Sequence, residues 1–324
     1  MRIKILRILI CLSFFFVPQV FADQYPSKVI TIVVPFSAGG PADVLARLLA
    51  RPMGASLKTQ VIIENVTGAG STIGANRVAK APPDGYTLLL HNLGHSTAIT
   101  LYRKLAYHPI NDFEPIGLIA DIPMTLVTKK DLPPNDLKEL LAYVKTNRQK
   151  INLANAGPGS SAHFCGMLFQ TAMQMELTTI PYAGTAPAMI DLLGGQVDIL
   201  CDQVNNTISQ IKAGKIKIIG VTTKKRLPTL PNVPSLHEAG LPNFEITVWN
   251  GLYAPKGTPK EIIKTLSLAL QESLRDAALK KRCAELGVEV TPESSATPEA
   301  LRAHLKAEIE KWAPIIKKAG VYAD

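Results

Sequence analysis

Residues 30–49, ITIVVPFSAGGPADVLARLL, limit the fold more than any other stretch. β-branched residues fill Ile30–Val34 as a short buried strand, Ser37–Gly40 form a glycine-bearing turn, and Pro41 stands where a helix opens. Proline suits a first helical position because the N–H it lacks would have no partner there. The turn therefore sets bare backbone N–H groups beside the positive end of a helix dipole, a ready site for an anion. The pattern returns about 120 residues later: Ile151–Asn155 leads through Gly157-Pro158-Gly159-Ser160-Ser161 into a helix with Phe164, Met167, Leu168 and Thr171 on one face. Two such turns in two halves of one chain imply two lobes closing on one carboxylate-bearing ligand.

Elsewhere strand-like runs alternate with helix-like ones, which implies parallel sheets with helices on both faces. Strands are expected at 29–34, 61–64, 87–90, 114–119, 125–127, 151–154, 178–181, 197–200 and 216–222. Helices are expected at 42–53, 74–79, 137–146, 162–175, 187–193, 259–277, 280–286 and 298–319. Two strand-like crossings, Ile116–Pro123 and Phe244–Pro255, divide the chain. Residues 23–121 with 250–324 are expected to form one discontinuous lobe and 122–249 the other, with the terminal helices packed on the first. The proline-rich Leu227–Pro234 reads as a rigid connector.

The N-terminus carries a basic head (Arg2, Lys4, Arg7), an apolar run (Ile8–Val17) and small residues at Val20 and Ala22. This is the pattern of a secretory signal peptide over residues 1–22, with cleavage after Ala22. A membrane anchor is the alternative, but the run falls short of the ~20 residues a span needs. Ile10 before Cys11 lacks the small side chain that lipidation requires. The 324-residue chain has 35 Lys+Arg against 26 Asp+Glu, a net charge of +9, and without Arg2, Lys4 and Arg7 it is +6. The charges are scattered and aromatics make up only 6%, so no basic stripe with interleaved aromatics exists to bind nucleic acid. Cys165, Cys201 and Cys283 remain after cleavage; no C-x-x-C or histidine-rich cluster points to zinc.

Gly68-Ala69-Gly70-Ser71-Thr72-Ile73-Gly74 imitates a dinucleotide turn, but it follows the second strand, and Asp84 lies in a tight turn rather than at a strand end. It reads better as a close-packed loop lining a cleft. No G-x-S-x-G, H-E-x-x-H or Walker lysine is present. Ser160 and Ser161 beside His163 raise an exported hydrolase as an alternative, although neighbours on one turn are better read as capping serines with a cleft-edge histidine. Gly94 and the preceding strand speak against His91 and His95 as a helical metal pair. Asp43, in the first turn after Pro41, suits a capping role that holds the loop's shape. Asp202 follows strand 197–200, at a sheet edge where ligands bind. Ligand contact and structural anchoring are equally open for it.

Six ordered motifs resemble one family: Val34–Asp43, Glu64–Gly70, Ala81–Leu89, Pro181–Ala188, Leu193–Asp198 and Gly251–Pro259. Together they are similar to the Bug (TctC-like) extracytoplasmic receptors of tripartite tricarboxylate transporters, over essentially the whole mature chain. The resemblance implies an α/β, two-lobed periplasmic-binding-protein fold with two crossover strands, each lobe a mainly parallel sheet flanked by helices, and hinge closure on a small carboxylate. It implies a carboxylate grip by Ser37, Ala38, Gly39 and Gly40 and by Gly159, Ser160, Ser161 and Ala162. Tyr182, Gly184, Thr185 and Ala186 match the next cleft loop, Asp202 an acidic position beyond it, and Phe36, Asn92 and His163 complete the expected ligand set. No catalytic residue, metal or cofactor is implied. The expected partners are the ligand and the membrane permease subunits, with the receptor a monomer; a sensor docking on a signalling receptor is the other binding role. Two departures matter: Val66-Thr67 replaces the usual Arg/Lys-Pro, and Cys201-Asp202-Gln203 replaces a commoner Phe-Asp-Asn type. Given the 2-1-3 strand order usual for such sheets, one expectation is a Cys165–Cys201 bridge, with Cα atoms inside the ~4.4–6.8 Å that a bridge needs; the alternative is that all three cysteines are small core hydrophobes. With the bridge, Cys283 is left as a lone thiol.

Overall fold

A computed structural model describes residues 25–323, so the leader and the expected cleavage after Ala22 lie outside the described residues. β1 (Ile30–Val34) lies between β2 (Val61–Asn65) and β3 (Thr87–Asn92), all parallel. Pro41 is the first residue of α1 (Pro41–Leu57), which connects β1 to β2; α2 (Thr72–Ala79) connects β2 to β3. The chain then runs through α3 (Leu93–Leu101) into β4 (Phe113–Lys129). A second unit repeats the scheme: α4 (Leu137–Asn147), β5 (Asn152–Asn155), α5 (Ser161–Met173), β6 (Thr178–Pro181), α6 (Thr185–Leu193), β7 (Ile199–Gln203), α7 (Val204–Lys212) and β8 (Ile216–Val221). After α8 (Leu236–Ala239), β9 (Thr247–Pro255) returns to the first unit. α9 (Lys260–Arg275), α10 (Ala277–Glu285), β10 (Glu289–Val290) and α11 (Pro298–Ala319) complete the chain.

The two units share a strand order. In the first, β2-β1-β3 are parallel, with β9 antiparallel to β3 and β4 antiparallel to β9. In the second, β6-β5-β7 are parallel, and β4 runs antiparallel to both β7 and β8. Each half thus has three parallel strands with an antiparallel strand beside the third. β4 serves both sheets, its Phe113–Pro123 stretch pairing with β9 and Met124–Lys129 with β7 or β8. The sequence pattern suggests two strands there because Asp121 and Pro123 break the apolar run. The structure carries the strand through: Asp121 accepts a hydrogen bond from the Thr247 hydroxyl on β9 (2.8 Å), although burial pushes its carboxyl above the usual range.

Three helices, α3, α7 and the single-turn α8, are absent from the sequence-based expectation. Seven of the nine residues of α3 are buried, so it shows no amphipathic period; its start is fixed by Asn92, whose Oδ1 accepts from the Gly94 N–H (3.1 Å). α7 is short and polar in sequence, and Gln203 supplies no side-chain cap. The terminal helices also do more than pack on the first half. Trp312, near the end of α11, lies with its ring 5.1 Å from that of Phe164 on α5. The Glu308 carboxylate accepts from the indoles of both Trp249 on β9 (3.3 Å) and Trp312 (3.0 Å). A single apolar cluster consequently joins Leu89 and Tyr253 of the first sheet to Leu153 and Ile199 of the second and Phe164 of α5.

Cys165 on α5 and Cys201 on β7 are joined by a disulfide, with Cα atoms 6.0 Å apart, while Cys283 is free and buried. β5 and β7 are neighbours, which brings the helix after β5 over β7.

Candidate functional site

The turn between β1 and α1 is held from within. The Asp43 carboxylate accepts from the Gly39 N–H (2.9 Å), from Arg47 Nε (2.9 Å) and from Asn65 Nδ2 (3.0 Å). Burial alone raises its pKa, but these donors outweigh it and hold the carboxyl below the usual range. The Gly40 N–H donates to the Ser37 carbonyl (3.3 Å). The counterpart before α5 is built alike. Ser160 caps the helix by accepting from the His163 N–H (3.1 Å), its own N–H donates to the Gly157 carbonyl (3.1 Å), and the Gly159 N–H donates to His163 Nδ1 (3.3 Å).

The glycine N–H groups expected to grip an anion are therefore already engaged in shaping their turns. The donors left facing inward lie one step further on, in the first helical turns, where N–H groups have no intrahelical acceptor. A small cavity is lined by the opening residues of three helices, Pro41 and Ala42 of α1, Ser161 and Ala162 of α5, and Thr185 of α6. Gln203, preceding α7, adds a fourth, and Phe36, Gly40, Asn92, Ala156, Ser160 and Asp202 complete the wall. No lysine or arginine among the described residues lines it. Four positive dipole ends make it receptive to negative charge without a cationic side chain. The buried Ser161 Oγ, Thr185 Oγ1 and Gln203 Oε1 have no protein hydrogen-bond partner. Buried polar groups are ordinarily paired, so these three, gathered on one wall, are unmet hydrogen-bonding capacity.

Asp202 is the one acidic residue in this wall, and it is fully buried. Burial pushes its pKa up to about 7, opposed by hydrogen bonds from the Asn206 amide and the Gln203 N–H (2.8 Å). The Thr185 hydroxyl also favours the charged form, though it stops short of a well-formed hydrogen bond. Burial thus makes this carboxyl easier to protonate than an exposed one, and in its protonated form it can donate as well as accept.

Of the residues expected from sequence, Phe36, Gly40, Asn92, Ser160, Ser161, Ala162, Thr185 and Asp202 meet around the cavity. Ser37, Ala38 and Gly39 belong to the turn above it, opposite Gly184 and Ala186: a Cβ on Gly39 would lie 4.0 Å from that of Ala186. The Tyr182 hydroxyl donates to Asp191 (2.6 Å) and lines no part of the wall. Gly159 and His163 stand behind it, and burial lowers the imidazole's pKa. The Ser160 hydroxyl acts as a cap, and the structure shows no hydrogen bond from either serine hydroxyl to the imidazole. Pro41, Ala42, Ala156 and Gln203 were missed. The first two had a signal, since a helix opening at Pro41 puts its free N–H groups at positions 42 and 43. His91 and His95 sit on β3 and α3 with ring centroids 5.0 Å apart; burial lowers both pKa values, that of His95 to about 3. No group of three metal-ligating side chains occurs among the described residues.

The two halves touch above the cavity. A Cβ on Gly70 would lie 1.8 Å from the Pro158 carbonyl oxygen, so only glycine permits this approach, which also places residue 70 at φ +57°. Tyr102 Oη lies 2.8 Å from the Ala69 carbonyl and 3.0 Å from that of Pro158, its single proton shared between the halves. At depth, Asn205 Nδ2 donates to the Pro41 carbonyl (3.0 Å).

Two sheets of matching order, linked by β4 and β9 and meeting over a polar cavity of helix N-termini, define a solute-binding receptor. The chain belongs to the tripartite tricarboxylate transporter receptor family (TctC), whose profile matches residues 45–321. A UPF0065 protein from the ttuE-ttuC' intergenic region of Agrobacterium vitis is 47% identical over 298 residues, covering 92% of this chain and 86% of that protein. Among solved structures, the periplasmic binding protein BugD is 50% identical with a TM-score of 0.90, over 92% of this chain and 99% of that one. MatC from Rhodopseudomonas palustris, solved with bound malate, is 38% identical with a TM-score of 0.87, over 90% of this chain and all (100%) of that one. The protein is a receptor of the periplasmic solute-binding class.

Proposed function

We propose that this receptor captures a small carboxylate in the cavity between its halves and hands it to the membrane permease subunits of a tripartite transporter. The convergence of four helix N-termini on one basic-free cavity carries this reading. A carboxylate there accepts from the N–H groups of Ala42, Ser161 and Ala162 and from the unpartnered hydroxyls of Ser161 and Thr185. Charge-assisted hydrogen bonds contribute about 1.5–3 kcal/mol each, so a few suffice for micromolar capture after ordering costs. Asp202 and Gln203 Oε1 face a hydroxyl or second polar group of the ligand. MatC's malate fits that demand for an anion plus a hydrogen-bond donor. Binding, without bond making or breaking, accounts for the site.

In the same reading, residues 23–121 with 250–324 and residues 122–249 move as lobes about the β4–β9 crossing, as a monomer released by cleavage after Ala22. Only the closed form brings the α1 and α5 donors to one ligand, so ligand shifts the population toward closure. Tyr102→Phe removes the proton shared across the mouth. Its loss across the mouth costs about 0.5–1.5 kcal/mol, a roughly 2- to 10-fold weaker affinity as read by calorimetry, beside a small fall in apo melting temperature from the bond to Ala69 within the same half.

A thermal-shift screen with L-malate, succinate, adipate, L-aspartate and citrate tests the assignment. A ligand at about 100 times its Kd adds ~2.7 kcal/mol of stability, a rise of several degrees. No shift with any carboxylate, or turnover of one, overturns the reading.

A further inference from the structure

The structure points to the Cys165–Cys201 disulfide as a positioning clamp for the second half of the ligand cavity, beyond any general bracing of the fold. Cys165 lies four residues after Ser161, one turn along α5 on the same helix face. Cys201 directly precedes Asp202 at the end of β7. The bond therefore ties together the two elements that present opposite chemistry to the cavity: the donor-bearing start of α5, and the carboxyl of Asp202 with the acceptor of Gln203. Both cysteines are fully buried, so the link is closed to solvent in the folded protein.

Other contacts hold these elements less directly. α5 is packed from one side by Trp312 and approaches β5 closely, where a Cβ on Gly166 would lie 3.0 Å from a Leu153 methyl. Those contacts fix the helix against β5 and α11; it also packs on β7, with Phe164 and Phe169 in the same apolar cluster as Ile199, and the disulfide adds a covalent tie at the point of that interface next to Asp202. Asp202 and Ser161 sit on different elements, and a hydrogen-bonding site needs its partners held to a fraction of an ångström. The covalent link sets the separation between the Ser161/Ala162 donors and the Asp202 carboxyl. This inference rests on the cavity being the ligand site.

The test uses the full mature chain with Cys165→Val combined with Cys201→Ala, which refills the space with apolar groups but leaves the elements unlinked, beside the double alanine variant. Hydrogen exchange of the ligand-free protein reads local opening. The clamp predicts at least tenfold faster exchange in peptides covering 160–164 and 201–205 of the refilled variant, with β1 and β3 unchanged. It also predicts at least tenfold weaker L-malate binding well below the melting temperature. Wild-type exchange in those peptides overturns the clamp even if the double alanine variant melts lower, since that outcome reports packing alone. If the native protein binds no carboxylate, the reading of the cavity fails, whereas the exchange result still decides the clamp.

Discussion

Gly184→Val is expected to abolish carboxylate capture, weakening Kd at least 100-fold, about 2.7 kcal/mol, while the ligand-free protein stays folded. Gly184 precedes α6 with φ 166°, an extended conformation open to any residue, so the substitution introduces no local backbone strain. What it changes is the approach of the two halves. A Cβ there would lie 2.1 Å from Ser37 Oγ and 2.9 Å from the Ser37 backbone nitrogen, well inside contact distance. The β1–α1 turn then cannot seat against the β6–α6 turn, and the α1 donors stay away from a ligand held on α5. Solution scattering of the variant should show the same radius of gyration with and without a saturating carboxylate, whereas the native protein contracts. Wild-type calorimetric affinity in the variant would rule out closure at this contact.

Asp202→Asn should alter the pH dependence of stability by on the order of 4 kcal/mol. Burial raises the Asp202 pKa from its model-compound value of 3.8 to about 7, so between these values the folded ligand-free protein holds a proton that the unfolded chain has lost. Stability falls with rising pH wherever the native state binds more protons. The penalty is absent below about pH 4, grows to about pH 7 and is constant above it; some three pKa units at 1.36 kcal/mol each give its size. Asparagine carries no such charge and can still turn its carbonyl to the Asn206 amide. Urea denaturation of both proteins from about pH 4 to 8 checks this: the variant should gain steadily on the native protein over that range. Parallel pH profiles would mean that Asp202 is solvated and ionised throughout.

The halves of the fold were legible in sequence because their signals are local. Pro41 after a glycine turn specifies a helix start whatever surrounds it, and the carboxylate of Asp43 closes the turn that contains it. α3 was not legible, since a helix buried on nearly every side has no polar face to reveal its period. β4 was read as two strands because nothing local shows that Asp121 will find Thr247, 126 residues away. The site divides in the same way. Ser161, Ala162 and Thr185 could be placed from turn chemistry and family likeness, but which N–H groups remain free depends on what Asp43 and His163 accept. Gln203 reaches the cavity only because β7 ends where α7 begins.

The long C-terminal helix has a bearing on how the molecule holds together as it moves. α11 carries Leu301, Leu305, Trp312 and Ile316 into the same apolar mass that includes Phe164 and Phe169 of the other half. A proteolytic nick before Pro298 would therefore not trim an appendage: it would strip covering from both sheets at once. The chain's last well-formed element acts as a strap fastened on each side of the pivot, and excising either half would leave an open wound of aromatic surface rather than a smaller receptor.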